Sequence, residues 1–184
     1  MSHEHHHGPP VERLRSPDRV ARLEVPRVVD LSLEGPAGNA ARRMLDVGTG
    51  TGIFAEAFRD RGLEVTGIDP NTDMLAAARR MVSGVTFTEG TAESLPFPDR
   101  AFDLVFLSHV LHETADPLRA LSEARRVASA RVVVLELPYV DDDKGPPLSH
   151  RLRPSEIEGL AARAGFPVIE RIDLAHLHLF RLTT

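Results

Sequence analysis

The stretch Leu45-Asp-Val-Gly-Thr-Gly-Thr-Gly52 constrains the fold of this chain more than any other. A β-rich run, Arg43–Val47, leads into it, and a helical run, Gly52–Arg61, leaves it. Glycines at the alternate positions 48, 50 and 52 allow unusual dihedrals and let backbone N–H groups meet a ligand with no Cβ in the way. In an open parallel sheet such a strand-to-helix turn lies at the carboxyl edge, where ligands bind. The next strand, predicted over Glu64–Ile68, ends at Asp69, seventeen residues beyond Gly52. A carboxylate there can accept hydrogen bonds from both hydroxyls of an adenosine ribose. Turn and aspartate together define an adenosine site. Taken alone, Asp69 would begin an Asp-Pro turn capping the helix that starts at Thr72.

The rest of the chain alternates β-rich and helical runs, the pattern of a parallel sheet with crossover helices. Further strands are predicted near Val85–Thr88, Leu104–Ser108 and Arg131–Leu137, and further helices near Thr72–Val82, Asp116–Val127 and Pro154–Ala164, counted as five βα units. After Gly165, the runs Phe166–Ile172 and His176–Leu182 have no helix between them and predict an antiparallel hairpin at the sheet edge. Two short helices precede the first strand. One runs from Pro17 to Leu23, with Ser16 as its cap, and the other from Pro26 to Leu33; Gly35-Pro-Ala-Gly38 ends this lead-in. Residues 1–16, rich in His, Pro and Arg, read as a mobile arm, and 17–184 as one domain. The arm's histidines, His3, His5, His6 and His7, are read as a tail rather than a metal site, with folding over a bound ligand as a further reading.

A length of 184 residues suits a single core that must hold every ligand. The formal charge of -5 argues against a nucleic-acid partner, which needs a concentrated basic surface. Arginines gather at Arg13, Arg15, Arg19 and Arg22 and at Arg125, Arg126 and Arg131, and they read as solvated faces. Asp141, Asp142 and Asp143 likewise read as a solvated loop, with a cationic acceptor as the alternative use. The absence of cysteine excludes disulfides and thiolate chemistry. No run approaches the ~18 consecutive apolar residues of a membrane span, and the N-terminus lacks a basic-then-apolar leader. The expectation is a cytoplasmic protein, monomer or homodimer, with no membrane partner.

Several segments, in order and spacing, resemble the class I methyltransferases that use S-adenosylmethionine. These are Leu45–Gly52, Gly67–Asn71, Gly90-Thr-Ala-Glu-Ser-Leu-Pro-Phe-Pro-Asp99, Phe102-Asp-Leu-Val-Phe-Leu-Ser-His-Val-Leu-His-Glu113 and Asp116–Val127. The resemblance covers roughly residues 40–136. It implies an α/β, three-layer Rossmann-like sandwich, with a mostly parallel seven-stranded sheet and an antiparallel C-terminal hairpin. It also implies that Gly48, Thr49 and Gly50, supported by Asp46 and followed by Gly52, face the methionine part of the cofactor. Asp69 would hold the ribose, while Pro70, Asn71 and Met74 flank the adenine. Thr91, Ala92 and Glu93 would close over the adenine edge, and Ser108 and His109 would lie beside the reactive methyl. Two positions depart from the family. Thr91 stands where Asp is common, and Val127-Ala-Ser-Ala-Arg131 replaces a Gly-Gly turn.

The resemblance implies methyl transfer to a small-molecule acceptor by direct in-line displacement, which needs alignment, exclusion of water and sometimes a base, but no metal. His112 and Glu113 are the catalytic candidates at the pocket edge. Alternatively, His112 packs under the next helix and Glu113 is solvated or caps it. Ser108-His-Val-Leu111 is not the Asp/Asn-Pro-Pro-aromatic run of enzymes that methylate nucleic-acid bases, and Ser108 is not the carboxylate of the magnesium-dependent catechol type. The acceptor pocket is expected between the N-terminal arm and the 138–153 loop. Two rival readings share the glycine turn and Asp69: an NAD-dependent oxidoreductase, whose third glycine would come one residue later, and a non-catalytic S-adenosylmethionine-binding module.

Overall fold

The computed structural model describes residues 14–142 and 145–184. Seven strands form one sheet: β1 (Arg43–Val47), β2 (Glu64–Asp69), β3 (Thr86–Glu89), β4 (Phe102–Ser108), β5 (Ala128–Glu136), β6 (Val168–Asp173) and β7 (His178–Thr183). Their order is β3-β2-β1-β4-β5-β7-β6, with β1 to β5 parallel, β7 antiparallel to β5, and β6 antiparallel to β7. From β1 the chain proceeds outward to β2 and β3, then returns to β4 on the other side. The strand order therefore reverses between β1 and β4, and the loops leaving their carboxyl ends diverge to leave a crevice.

Among the described residues the sheet is accompanied by the α-helices α1 (Pro17–Arg22), α2 (Val25–Leu33), α3 (Gly35–Asn39), α4 (Ile53–Asp60), α5 (Thr72–Met81), α6 (Pro117–Val127) and α7 (Pro154–Arg163). The central strands are apolar at nearly every position because both of their faces are covered. Along β4, Leu104 and Phe106 face a cluster with Val28, Phe54, Phe58 and Leu75, whereas Val105 and Leu107 face a cluster with Leu121, Ala124, Ile157 and Ala161. Thus α2, α4 and α5 cover one face and α6 and α7 the other. The period-two alternation of side chains divides the core between them.

The predicted fold class is the one observed, and the differences are local. No helix joins β3 to β4, so the five βα units are five strands with four helices among them. The 90–101 connection is held instead by α6: Arg126 donates to the carbonyls of Leu95 (2.9 Å) and Phe97 (2.7 Å), and the Glu123 carboxylate accepts Leu95 N–H (2.9 Å). Arg126 is therefore not a solvated face. Neither is Arg131, which donates to the carbonyls of Ser32 and Glu34. β5 begins at Ala128, directly after α6, so the chain dispenses with the glycine turn usual there. Ser16 precedes α1 without a side-chain cap, and Gly35–Asn39 forms a short helix rather than a simple break. Asn71, not Asp69, caps α5, accepting from the N–H groups of Asp73 and Met74.

Phe106 anchors the first cluster, with its ring 4.8 Å from Phe54 and 5.2 Å from Phe58 in tilted and edge-on contact. It is fully buried on a central strand, so the lining has little freedom to collapse. Phe106→Ala is expected to cost about 3–5 kcal/mol in chemical denaturation; a loss below about 1 kcal/mol would contradict this packing.

Candidate functional site

The glycine turn is shaped by its neighbours. Gly48 and Gly50 have φ of 67° and 52°, a region that costs a side-chain-bearing residue about 1–2 kcal/mol. A Cβ on Gly48 would also lie 2.4 Å from Val110 Cγ2, whereas one on Gly50 would meet nothing within 4 Å. The turn's amides are not directed at a ligand. Gly48 and Thr49 N–H both donate to the Ile68 carbonyl (2.8 and 3.0 Å), and Gly50 N–H donates to Asp69 Oδ2 (2.8 Å). Asp69 Oδ1 accepts Asn71 N–H at 2.8 Å. One carboxylate thus fastens the loop after β1 to the loop after β2.

These loops border a cleft of about 740 Å³ at the carboxyl edge of the sheet. Of the residues singled out from sequence, Asp46, Gly48, Gly50, Asp69, Pro70, Asn71, Met74, Thr91, Ala92, Glu93, Ser108, His109 and Glu113 line it. Thr49, Gly52 and His112 do not. Thr49 lies beneath the turn and donates to Asp46 Oδ2 at 2.7 Å, and Gly52 begins α4 against Val82 and Phe87. Sequence reasoning missed Leu14, Arg19 and Leu23, which close the cleft from the N-terminal side. Arg15 holds that segment down, donating to the Thr51 carbonyl and pairing with Glu56, each at 3.0 Å. The N-terminal histidines and the rest of the arm before Leu14 lie outside the described residues.

A second cavity of about 400 Å³ adjoins the cleft and shares Arg19, Leu23, His109 and Glu113 with it. Its other walls include Arg22, His112, Leu137, Pro146 and, from the β6–β7 turn, His176 and Leu177. Of the expected walls, the loop after β5 contributes Gly145 and Pro146, and of the N-terminal arm Ser16 lines the cavity, its neighbours there being residues of α1; the hairpin turn was not anticipated. Arg19 and Arg22, read from sequence as solvated, face this cavity. The loop after β5 is gathered by Arg151, whose side chain is 1% exposed. It donates to the carbonyls of Pro138, Val140 and Pro146 and pairs with Asp142 at 2.6 Å. Asp142 is therefore engaged rather than simply solvated, while Asp143 lies outside the described residues.

His112 occupies a short 3₁₀ turn, Leu111–Glu113, that sequence periodicity could not reveal. Its Nδ1 lies 2.7 Å from Glu136 Oε2, and Glu136 Oε1 accepts Leu111 N–H at 2.9 Å. Burial works to lower the His112 pKa, but the hydrogen bond and charge of Glu136, with Glu113 adding, hold it above the usual histidine value. Glu113 extends to solvent with 76% of its side chain exposed. His109 adopts a left-handed backbone at φ 59°, which turns its ring toward Ser108 Oγ (3.0 Å from Nδ1). Burial pushes its pKa down to about 4, so it is neutral near pH 7.

Burial also pushes Asp46 up to about 7, with the nearby charge of Asp69 adding to the effect and the Thr49 hydroxyl opposing it. This folded value exceeds the unfolded 3.8, so the folded chain holds the proton more tightly. The resulting stability is present below pH 4 and is lost as pH rises toward 7. Without ligand, Asp46→Asn should therefore gain thermal stability relative to wild type between pH 5 and pH 8. A difference that stays constant over that range would sink the assignment.

Several known proteins similar to this chain are named methyltransferases. Residues 45–134 match the methyltransferase domain family. A demethylmenaquinone methyltransferase of Thermus thermophilus is 44% identical over 120 residues, 61% of this chain and 53% of that protein. An uncharacterized methyltransferase of Bacillus subtilis is 39% identical over 93 residues, 48% of this chain and 37% of that protein. The chain spans about half the length, or less, of these curated relatives. The solved structure of a SAM-dependent methyltransferase from Aquifex aeolicus has the same fold, with TM-score 0.82 at 23% identity over 94% of this chain and 96% of that one. Over residues 45–134 the chain is similar to the methyltransferase domain family, and its fold is that of the Aquifex aeolicus enzyme. No helix among the described residues is long and apolar enough to cross a membrane.

Proposed function

We propose that the chain is an S-adenosylmethionine-dependent methyltransferase that acts on a small-molecule acceptor by direct in-line displacement. The observation that carries this reading is the pair of communicating spaces at the switch point. One is bordered by the glycine turn and the carboxylate ending β2, and the other opens beside His109.

The residues of the cleft suit the cofactor. Each oxygen of Asp69 receives one backbone donor, which leaves lone pairs for the two ribose hydroxyls. Half-buried Met74, with Pro70 and Asn71, flanks the adenine, and the 91–93 segment borders its edge. Gly48 and Gly50 border the methionine end beside Asp46, with Thr49 acting through its hydrogen bond to Asp46. A cationic ligand beside Asp46 favours the ionised carboxylate, so binding is expected to release a proton near pH 7. Bound S-adenosylmethionine supplies a methyl group already activated on a sulfonium. The protein's task is then to align an acceptor, exclude water and, for an acceptor that ionises, take a proton. His112 and Glu113 are the polar groups on the acceptor side.

Calorimetric titration tests the reading. S-adenosylhomocysteine should bind and NADH should not, and the reverse result would make the chain an oxidoreductase. Asp69→Ala should weaken S-adenosylhomocysteine binding roughly tenfold or more, as expected for lost hydrogen bonds to a charged acceptor. A screen of amine, hydroxy-acid, thiol and quinone-like acceptors should release S-adenosylhomocysteine with at least one class. The last class is included because relatives are named demethylmenaquinone methyltransferases. A screen with no turnover would leave a binding module.

A further inference from the structure

Behind the wall of the second cavity lies a group that methyl transfer does not generally require. Glu136 is 2% exposed at the end of β5, and both of its oxygens are engaged, one by Leu111 N–H and the other by His112 Nδ1. A buried carboxylate holding Nδ1–H fixes the imidazole in one tautomer and leaves Nε2 as the nitrogen available to a ligand. Burying this pair is costly, and a fold stabilised only by packing gains little from it. His112 lines the cavity, and the Glu136 carboxylate lies behind it. The same cavity has apolar walls at Leu23, Leu137 and Leu177 and carries Arg19 and Arg22. Arg22 Nε is buried with no hydrogen-bond partner among the described residues.

Resting on the reading of the chain as a methyltransferase, we infer that its acceptor carries a weakly acidic hydroxyl, phenolic or enolic. Its proton is taken by His112 Nε2, with Glu136 as the positioning residue behind it. The O–H bond breaks with its electron pair left on the acceptor and its proton on His112, giving an imidazolium paired with Glu136. That electron pair forms the new bond to the methyl carbon as the carbon–sulfur bond breaks, with its own pair staying on sulfur. Apolar walls accommodate an unsaturated skeleton, and the arginines favour its anion.

The charged and titratable groups around His112 are Glu136 on β5, Glu113 beside it, His109 after β4 and Arg151 from the loop after β5. Asp18, Arg19 and Arg22 of α1 and His176 line the same cavity. Glu136 dominates the upward pull on the imidazole, so its removal moves the histidine to lower pH.

The experiment uses the full chain with S-adenosylhomocysteine bound and 4-nitrophenol as probe, because its absorbance reports ionisation directly. Bound to wild type, the probe should ionise at lower pH than in free solution, and histidine Cε1 resonances should show one imidazole, lost in His112→Asn, titrating above the usual value. Glu136→Gln should lower that titration, shift the pH profile of turnover in the same direction and cut kcat about tenfold or more with a smaller change in KM. Glu136→Asp should recover part of each effect. Arg22→Gln should raise the probe's Kd at pH 8. If Glu136→Gln does not fold, the wild-type and His112→Asn measurements decide alone. The inference is overturned if the probe's ionisation is unchanged on binding, if no elevated histidine is found, or if only amines are methylated. Failure of S-adenosylhomocysteine to bind wild type would instead overturn the methyltransferase reading.

Discussion

The Asp69 carboxylate joins two loops that the sequence keeps nineteen residues apart. It receives Gly50 N–H on one oxygen and Asn71 N–H on the other, each at 2.8 Å. Because β1 and β2 are parallel neighbours, both loops leave the sheet at the same edge, and this bridge sets their separation. The amides of Gly48 and Thr49 converge on the Ile68 carbonyl and tighten the same junction. The turn is therefore a rigid edge of the cleft, and its positive-φ glycines serve that rigidity as much as access for a ligand. The carboxylate both builds the wall and presents its remaining lone pairs across it.

The rigidity depends on a sheet buried on both faces. The alternation of Leu104, Val105, Phe106 and Leu107 between two clusters fixes the register of β4 beside β1, since a shift of one residue would exchange the faces. That register brings Ser108 and His109 to the same edge as Asp46. The positive φ of His109 and its N–H bond to the Leu135 carbonyl (2.8 Å) then turn the chain away from the sheet. Strain of this kind is tolerated where the surroundings over-determine the backbone, and it concentrates at functional sites.

Electrostatically the site divides into two parts. Around the turn, two carboxylates share a shielded space, and burial pushes the Asp46 pKa up to about 7, so that its ionised and protonated forms coexist near neutral pH. Beyond His109, a neutral imidazole, the lining carries charge of both signs, with Arg19 and Arg22 beside Asp18 on α1, Glu113, and a histidine whose basicity Glu136 raises. The two spaces communicate past His109 and Glu113.

The sequence by itself determined the sheet, its parallel order and terminal hairpin, and most of the residues around the cleft. The strands, the hairpin, the glycine turn and Asp69 depend on local signals, namely apolar periodicity, glycines between a strand and a helix, and a carboxylate at a strand end. The other cleft residues were implied by the resemblance to class I methyltransferases. Charged side chains were misread where their partners lie far along the chain. Arg126 holds the connection before β4, Arg131 reaches the end of α2, and Arg151 gathers the loop after β5. Arg19 and Arg22 read as solvent-facing because nothing near them in sequence indicates the cavity they border. His112 could be singled out from its place after the fourth strand, but its role depends on Glu136, twenty-four residues later on an adjacent strand. Tertiary structure alone decided that pairing, because a hydrogen bond between side chains on different elements leaves no periodic trace in the sequence.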